Sequence, residues 1–188
     1  MSITFELTDR CRCCTSGQLL EVLNLGDQPP ANSLRFPDEP DPGKVPLALA
    51  YCGTCATCQL TATIEPAELF TNYVWVTGTA SATRTFSEVF SQEVLSRWHS
   101  LGGSRVDPPG LVVEVASNDG TFLAPFATRG IRVLGVDPAR NIVSRAVSNG
   151  IPTMCEFFNR TTVESIRRTA GPADIVIARN VIPHVADI

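Results

Sequence analysis

The chain has 188 residues, 44% of them apolar and 18% charged, and a net charge of -4 with a pI near 5.2. That composition suits one full globular domain or two small ones and excludes an intrinsically disordered chain. The acidic balance, with no dense Lys/Arg patch, argues against nucleic acid or an anionic membrane surface and favours a small-molecule ligand. The N-terminal segment Met1-Ser-Ile-Thr-Phe5 lacks the basic stretch and apolar core of a signal peptide, and no later run reaches the length of a membrane span. A cytoplasmic protein is expected.

In chain order, the first informative residues are Cys11 and Cys14, answered after a Pro-rich interval by Cys52 and Cys55. Two C-x2-C pairs have the spacing of a tetrahedral zinc thiolate site, because two intervening residues let a tight knuckle turn both sulfurs toward one ion. Seven cysteines without an export signal point the same way, since a reducing cytosol disfavours stable disulfides. Cys13 lies inside the first knuckle and Cys58 forms a third, overlapping pair with Cys55, so spacing alone leaves the second ligand pair open. Arg12 is a candidate to offset thiolate charge, or else an ordinary exposed arginine. Cys155, beside Met154, reads as a filler of the apolar core. Residues 1–65 read as a small zinc-binding module with short strands, among them Gln18–Leu23 and Pro46–Ala50.

Residues 66–106 form a second segment. It holds Pro66–Phe70, the aromatic run Tyr73-Val-Trp75, and an amphipathic helix whose Phe86, Val89, Phe90, Val94 and Trp98 recur at three- and four-residue intervals up to Gly102-Gly103. His99, in its last turn, suits the helix dipole. Asp107-Pro-Pro-Gly110 is a connector. From 107 to 188 strand and helix alternate: strands at Leu111–Ala116, Ile131–Val136, Ile151–Met154 and Ile175–Ala178, helices at Thr121–Arg129, Ala139–Ser148 and Thr162–Arg168. Thr161 with Glu164 fits a capping box at the last helix. The alternation predicts an α/β fold with a parallel sheet and right-handed crossovers.

Ligands of such sheets bind beyond the carboxyl ends of the strands. Ser117-Asn-Asp-Gly120 follows the first strand and leads toward a helix, and it lacks the G-x-G-x-x-G run of a dinucleotide site. S-adenosylmethionine, with a carboxylate and no phosphate, fits it better. Asp137 closes the second strand, where an acidic side chain commonly takes both ribose hydroxyls. Followed by Pro138, it also reads as an N-cap with proline at the first helical position. Phe157 and Phe158 are candidates to flank an adenine.

Taken together these stretches resemble the zinc-containing, S-adenosylmethionine-dependent sugar C-methyltransferases of deoxysugar biosynthesis. The matching residues are Cys11-Arg-Cys-Cys14 with Leu19 and Leu25-Gly26, Tyr51-Cys-Gly-Thr-Cys55 with Gln59-Leu60, Glu114–Gly120, Gly135–Ala139, Gly150–Thr153 with Phe157-Phe158, and Ala173-Asp174 through Arg179-Asn-Val181 to His184-Val185. The resemblance implies a Rossmann-like methyltransferase sheet behind a four-cysteine zinc module, with Zn2+ on Cys11, Cys14, Cys52 and Cys55. It implies donor contacts from Glu114, Ser117, Asn118, Asp119, Gly120, Asp137 and Asn180, and a nucleotide-linked 4-keto-deoxysugar as substrate, methylated on the carbon beside the ketone. His184 would face the sugar and Tyr73 would line the same pocket, the two catalytic candidates.

The chain departs from the family in two places. Trp75 stands where a second tyrosine is usual. The sequence also ends at Ile188, before the remaining strands and the C-terminal domain that carries the family's principal base machinery. The sheet is therefore expected to be incomplete, the Ile175–Ala178 segment to form an uncovered edge, and a separately encoded C-terminal half to be a candidate partner. A catalytically inactive zinc-stabilised module that binds donor or nucleotide sugar is the alternative reading. A nicotinamide-dependent oxidoreductase is the third.

Overall fold

The computed structural model describes residues 3–101 and 108–185. The expected helix stop at Gly102-Gly103, the residue Asp107 and the expected boundary between 106 and 107 lie outside them. The chain divides into two compact units, one of residues up to Thr71 together with those from Ile182 onward, the other Asn72–Val181.

In the first unit β1 (Phe5–Leu7) pairs antiparallel with β5 (Ala62–Ile64), and β2 (Leu19–Gln28), β3 (Val45–Cys52) and β4 (Cys58–Leu60) form an antiparallel sheet in that order. A short helix, α1 (Pro66–Phe70), follows, with proline in its first turn where a missing N–H costs nothing. Apolar burial here is scant. Val45, Ala48, Ala50 and Ala62 are covered, but Leu20, Val22, Leu23 and Leu25 along β2 are at least half exposed. A unit with so few large buried side chains needs a staple.

The second unit begins with residues 72–80 and α2 (Ser81–Ser100). Four parallel strands follow, β6 (Val112–Val115), β7 (Val133–Val136), β8 (Thr153–Met154) and β9 (Ile175–Ala178), in the order β8-β7-β6-β9. Between them lie α3 (Ala124–Thr128), α4 (Arg140–Ser148) and α5 (Arg160–Thr169). The expected α/β architecture is therefore present, with a four-cysteine cluster in the preceding module. One apolar layer joins Val112, Val133 and Ile177 to Leu123, Phe126 and Ala146, with Phe90, Val94 and Leu95 of α2 against it; the other joins Leu111, Val113 and Val136 to Ile166 of α5. β9 is an edge strand, and Val176 on it is 58% exposed.

Several local expectations are corrected. α5 is capped by Asn159, whose Oδ1 accepts from the Thr162 amide at 3.0 Å, so Thr161 lies inside the helix instead of capping it. α4 starts at Arg140 with Ala139 as its N-cap, leaving Asp137-Pro138 outside the helix. On α2 the deepest residues are Ser87 and Ser91, while Phe86 and Val89 are half exposed. The two serines bond back to the Arg84 and Glu88 carbonyls, which satisfies their hydroxyls and lets the helix approach closely. Cys155 is exposed and is not a core filler.

Candidate metal centre and donor site

Both C-x2-C pairs sit on the same local structure. In the first, the Cys11 amide donates to the Ser16 carbonyl at 2.8 Å and the Thr15 amide to the Cys11 carbonyl at 2.8 Å; in the second, the Cys52 amide donates to Thr57 and the Ala56 amide to Cys52, at 2.8 and 2.9 Å. The residue after each pair, Thr15 or Ala56, takes a left-handed φ near 60°. These knuckles bring the sulfurs of Cys11, Cys14, Cys52 and Cys55 within 4.8 Å of one another. Cys11 and Cys55 are 3.5 Å apart, Cys14 and Cys52 3.6 Å. Zn–S bonds of about 2.3 Å in a tetrahedron require sulfurs about 3.8 Å apart, so the residues fit zinc. The Thr57 side chain and amide pull the Cys55 thiol down to about 6, while against the Ser16 amide the burial and the neighbouring sulfurs push Cys14 up to about 12, so the four thiols share their protons unevenly until a cation replaces them.

Cys13 and Cys58 are exposed and stand outside the four-sulfur group. Arg12 does not turn to the thiolates, since its guanidinium donates to Thr63 Oγ1. Sequence reasoning missed the part played by Gln59. Buried on β4, it accepts from the Arg12 amide at 2.8 Å and donates to the Arg10 carbonyl at 3.0 Å, so it grips the first knuckle from the second half of the module.

In the second unit the topology dictates where a ligand goes. Successive strands run outward from β6 through β7 to β8, and the chain then returns to place β9 on the other side of β6, which opens a crevice at their carboxyl ends. The loops there are Ala116–Gly120 and Arg179-Asn180. Ala116, Asn118 and Asn180 all have φ between 51° and 53°, a conformation costly for residues with a side chain and typical of functional sites. Gly120 has φ +79° with Ile151 packed where a Cβ would stand, 2.8 Å away, so only glycine closes this turn.

Three buried carboxyl groups converge on these loops, and two are fully engaged. Asp119 accepts from the Gly78 amide at 2.9 Å with one oxygen and from the Thr121 amide and hydroxyl with the other. Asp137 accepts from the Asn118 and Ala139 amides, both at 2.9 Å; burial raises its pKa, opposed by those two N–H groups. Glu114 differs. It is 2% exposed, and its Oε2 has no partner among the described residues, as is true of Ser117 Oγ. Burial pushes the Glu114 carboxyl up to about 8, with Arg179 pulling the other way. A crevice with unmet buried polar groups, left-handed loops and no phosphate-binding glycine run fits S-adenosylmethionine.

The segment 72–80 is fastened over this loop. The Thr77 amide donates to Asn118 Oδ1 at 2.8 Å, and Asn118 Nδ2 donates to the Trp75 carbonyl at 3.1 Å. A methyl group at Gly78 would stand 2.7 Å from Asp119 Oδ2, so the backbones meet closely. Asn141 clasps Tyr73 from both sides, accepting from its amide at 3.0 Å and donating to its carbonyl at 2.7 Å. Asn141→Ala should cost about 1 kcal/mol in urea unfolding and speed hydrogen exchange at the Tyr73 amide. Unchanged exchange would show that the clasp does not hold the segment. His184 lies on a short 3-10 turn of the first unit, exposed, its ring 6.2 Å from that of Phe70. Tyr73 belongs to the other unit. Phe158 lines an apolar groove with Val113, Val163 and Val176 on the opposite face of the sheet from Glu114.

Residues 11–70 match the profile of the family Methyltransf_13, described as "Putative zinc binding domain". Over 183 residues, 96% of this chain, the sequence is 33% identical to the C-methyltransferase NovU of Streptomyces niveus, and the match covers 42% of that protein. The sequence is thus similar to a C-methyltransferase along nearly all of its own length, with a zinc-binding family profile over its first unit. It spans less than half the length of NovU. A ubiquinone biosynthesis O-methyltransferase of Methylobacterium sp. (strain 4-46) is 32% identical over 81 residues, 41% of this chain and 31% of that one. Among solved structures, a SAM-dependent methyltransferase from Agrobacterium tumefaciens aligns with a TM-score of 0.37 at 19% identity, over 49% of this chain and 31% of that one. The plantazolicin methyltransferase BamL, in complex with a triazolic desmethylPZN analog and SAH, aligns with a TM-score of 0.36 at 19% identity, over 45% and 30%.

Proposed function

We propose that this chain is the zinc-bearing, donor-binding part of a C-methyltransferase that methylates a nucleotide-linked 4-keto-deoxysugar on the carbon beside its ketone. The observation that carries the reading is the match to NovU, which runs through both units in order. S-adenosylmethionine, when bound, supplies an electrophilic methyl group. The chain's part is to seat it at the carboxyl ends of β6 and β9, with Glu114, Ser117, Asn118, Asp119, Gly120, Asp137 and Asn180 as the proposed contacts. His184, facing the sugar, and Tyr73, lining its pocket, are the proposed catalytic residues; a carbon acid beside a ketone needs both a proton acceptor and a donor to the enolate oxygen, and the principal base is proposed to belong to the C-terminal polypeptide. Zinc holds the first unit together and takes no part in the chemistry.

The rest of the catalytic fold is proposed to come from polypeptide beyond these residues, covalently joined or separately encoded. Supporting this, the β9 edge is free among the described residues and borders an open groove of about 240 Å³ lined by Val113, Phe158, Val163, Ile166 and Val176. The acidic composition supports a small-molecule partner and no nucleic acid. The thiolate cluster supports a reducing, cytoplasmic setting, and no described helix is long and apolar enough to cross a membrane.

Calorimetry of the zinc-loaded chain is expected to show binding of S-adenosylhomocysteine and none of NAD. The reverse result would replace the methyl-donor reading with the oxidoreductase one. Transfer of labelled methyl to the keto-sugar only when the C-terminal polypeptide is added would support the division of labour; donor binding without turnover even then would favour a non-catalytic binding module.

A further inference from the structure

Arg179 stands at the crevice, and nothing above gives its guanidinium a partner. It follows β9 directly, level with Ala116 at the carboxyl end of β6, because Val115 and Ala178 are register partners. Its guanidinium carbon stands 3.1 Å from the centroid of the Phe122 ring, with Phe90 and Phe86 at 5.3 and 6.0 Å. Aromatic faces hold a guanidinium in place while leaving its five N–H donors for something else. Among the described residues those donors meet no acceptor, and Arg179 and Glu114 feel each other's charge without coming within ion-pair distance. A cation and an almost fully buried acid thus face one crevice, each with hydrogen-bonding capacity left over. A single ligand group that satisfies both carries a carboxylate and an ammonium a short distance apart.

We propose that Arg179 binds the carboxylate of the donor's amino-acid head group, with Glu114 taking its ammonium. This rests on the methyl-donor reading and adds the residue that orients the methionine end. A guanidinium fork matches a carboxylate bidentately, and one packed on three rings loses little freedom on binding. Its charge and the Glu114 carboxyl would fix which end of the head group points where.

Two ligands separate the possibilities. S-adenosylhomocysteine carries the amino-acid head; 5′-methylthioadenosine has the same adenosine and sulfur without it. By calorimetry on the full zinc-loaded chain, the wild type should prefer S-adenosylhomocysteine by about 100-fold or more, the effect of one desolvated charge-assisted pair. Arg179→Gln should shrink that preference to within a few-fold while leaving the 5′-methylthioadenosine affinity unchanged, which also certifies the fold. Arg179→Lys should restore part of the preference. A glutamine variant that keeps the wild-type ratio would overturn the assignment while leaving donor binding intact. Loss of both ligands alike in the Gln and Lys variants would also overturn it, marking the side chain as a packing contact. A wild type that binds neither ligand would sink the methyl-donor reading itself, and this assignment with it.

Discussion

Cys52→Ser is expected to abolish stoichiometric zinc and unfold the first unit while the second remains folded. Cys52 is fully buried and contributes both a sulfur of the cluster and, through its amide and carbonyl, the frame of the second knuckle. The unit it staples fully buries mainly valine and alanine side chains, with Leu20, Leu23 and Leu25 of β2 outside. Structural zinc sites contribute apparent binding free energies of about 10–16 kcal/mol, which is folding free energy where little else holds the chain. The second unit has two apolar layers of its own around the parallel sheet. Metal analysis should read about one zinc per wild-type chain and close to none in the variant. Far-UV dichroism should lose its antiparallel component, and tryptophan emission should stay native, because Trp75 and Trp98 both belong to the second unit. A Cys13→Ser control should keep its zinc, since that sulfur lies outside the cluster. A metal-free Cys52→Ser chain with wild-type dichroism would refute the staple.

What could be read from the sequence is what spacing encodes locally. Four cysteines at knuckle spacing and four short β-branched runs between helical segments state their chemistry within a few residues, and the sulfur cluster and parallel sheet follow. Errors arise where two local signals compete. Asn159 and Thr161 are both capping types two residues apart, and the helix takes the asparagine because its Oδ1 reaches the Thr162 amide. The stripe on α2 shows in its large side chains, yet Ser87 and Ser91 lie deepest because small residues permit close approach. Asn141 carries no local signal, and Gln59 and Arg179 show only as matches within the resemblance, with no role attached. Gln59 acts on a knuckle 47 residues away and Asn141 on a tyrosine 68 residues away, contacts that exist only after folding. Of the two readings of Asp137 the N-cap one fails, because Ala139 caps α4; the carboxylate instead takes the Asn118 and Ala139 amides and so organises the loop and the turn before α4, whether or not a ribose also binds.

Glu114 couples that crevice to pH. Three influences act on it beyond burial, the dominant one: Arg179 lowers its pKa, while Asp119 and Asp137 raise it, and the outcome is about 8. In the unfolded chain it titrates near its ordinary value of 4.5. Between those two values the folded state holds a proton that the unfolded state has released, so stability is full below about 4.5 and falls as pH rises toward 8, by about 1.4 kcal/mol per pH unit at most. Urea unfolding followed by tryptophan emission should show this decline in the wild type and a flatter profile in Glu114→Gln, which keeps the shape and cannot ionise. An unchanged slope in the variant would place the titration elsewhere. The same linkage reaches function. An ammonium arriving beside Glu114 stabilises its charged form, so binding of S-adenosylhomocysteine at pH 7 should release close to one proton. Calorimetry in two buffers of different protonation enthalpy reads that number directly, and Glu114→Gln should abolish the difference between buffers while weakening binding roughly tenfold or more, as loss of one charge-assisted hydrogen bond predicts. Equal heats in both buffers for the wild type would mean that the carboxyl does not change its ionisation on binding, which would refute the coupling of this crevice to pH.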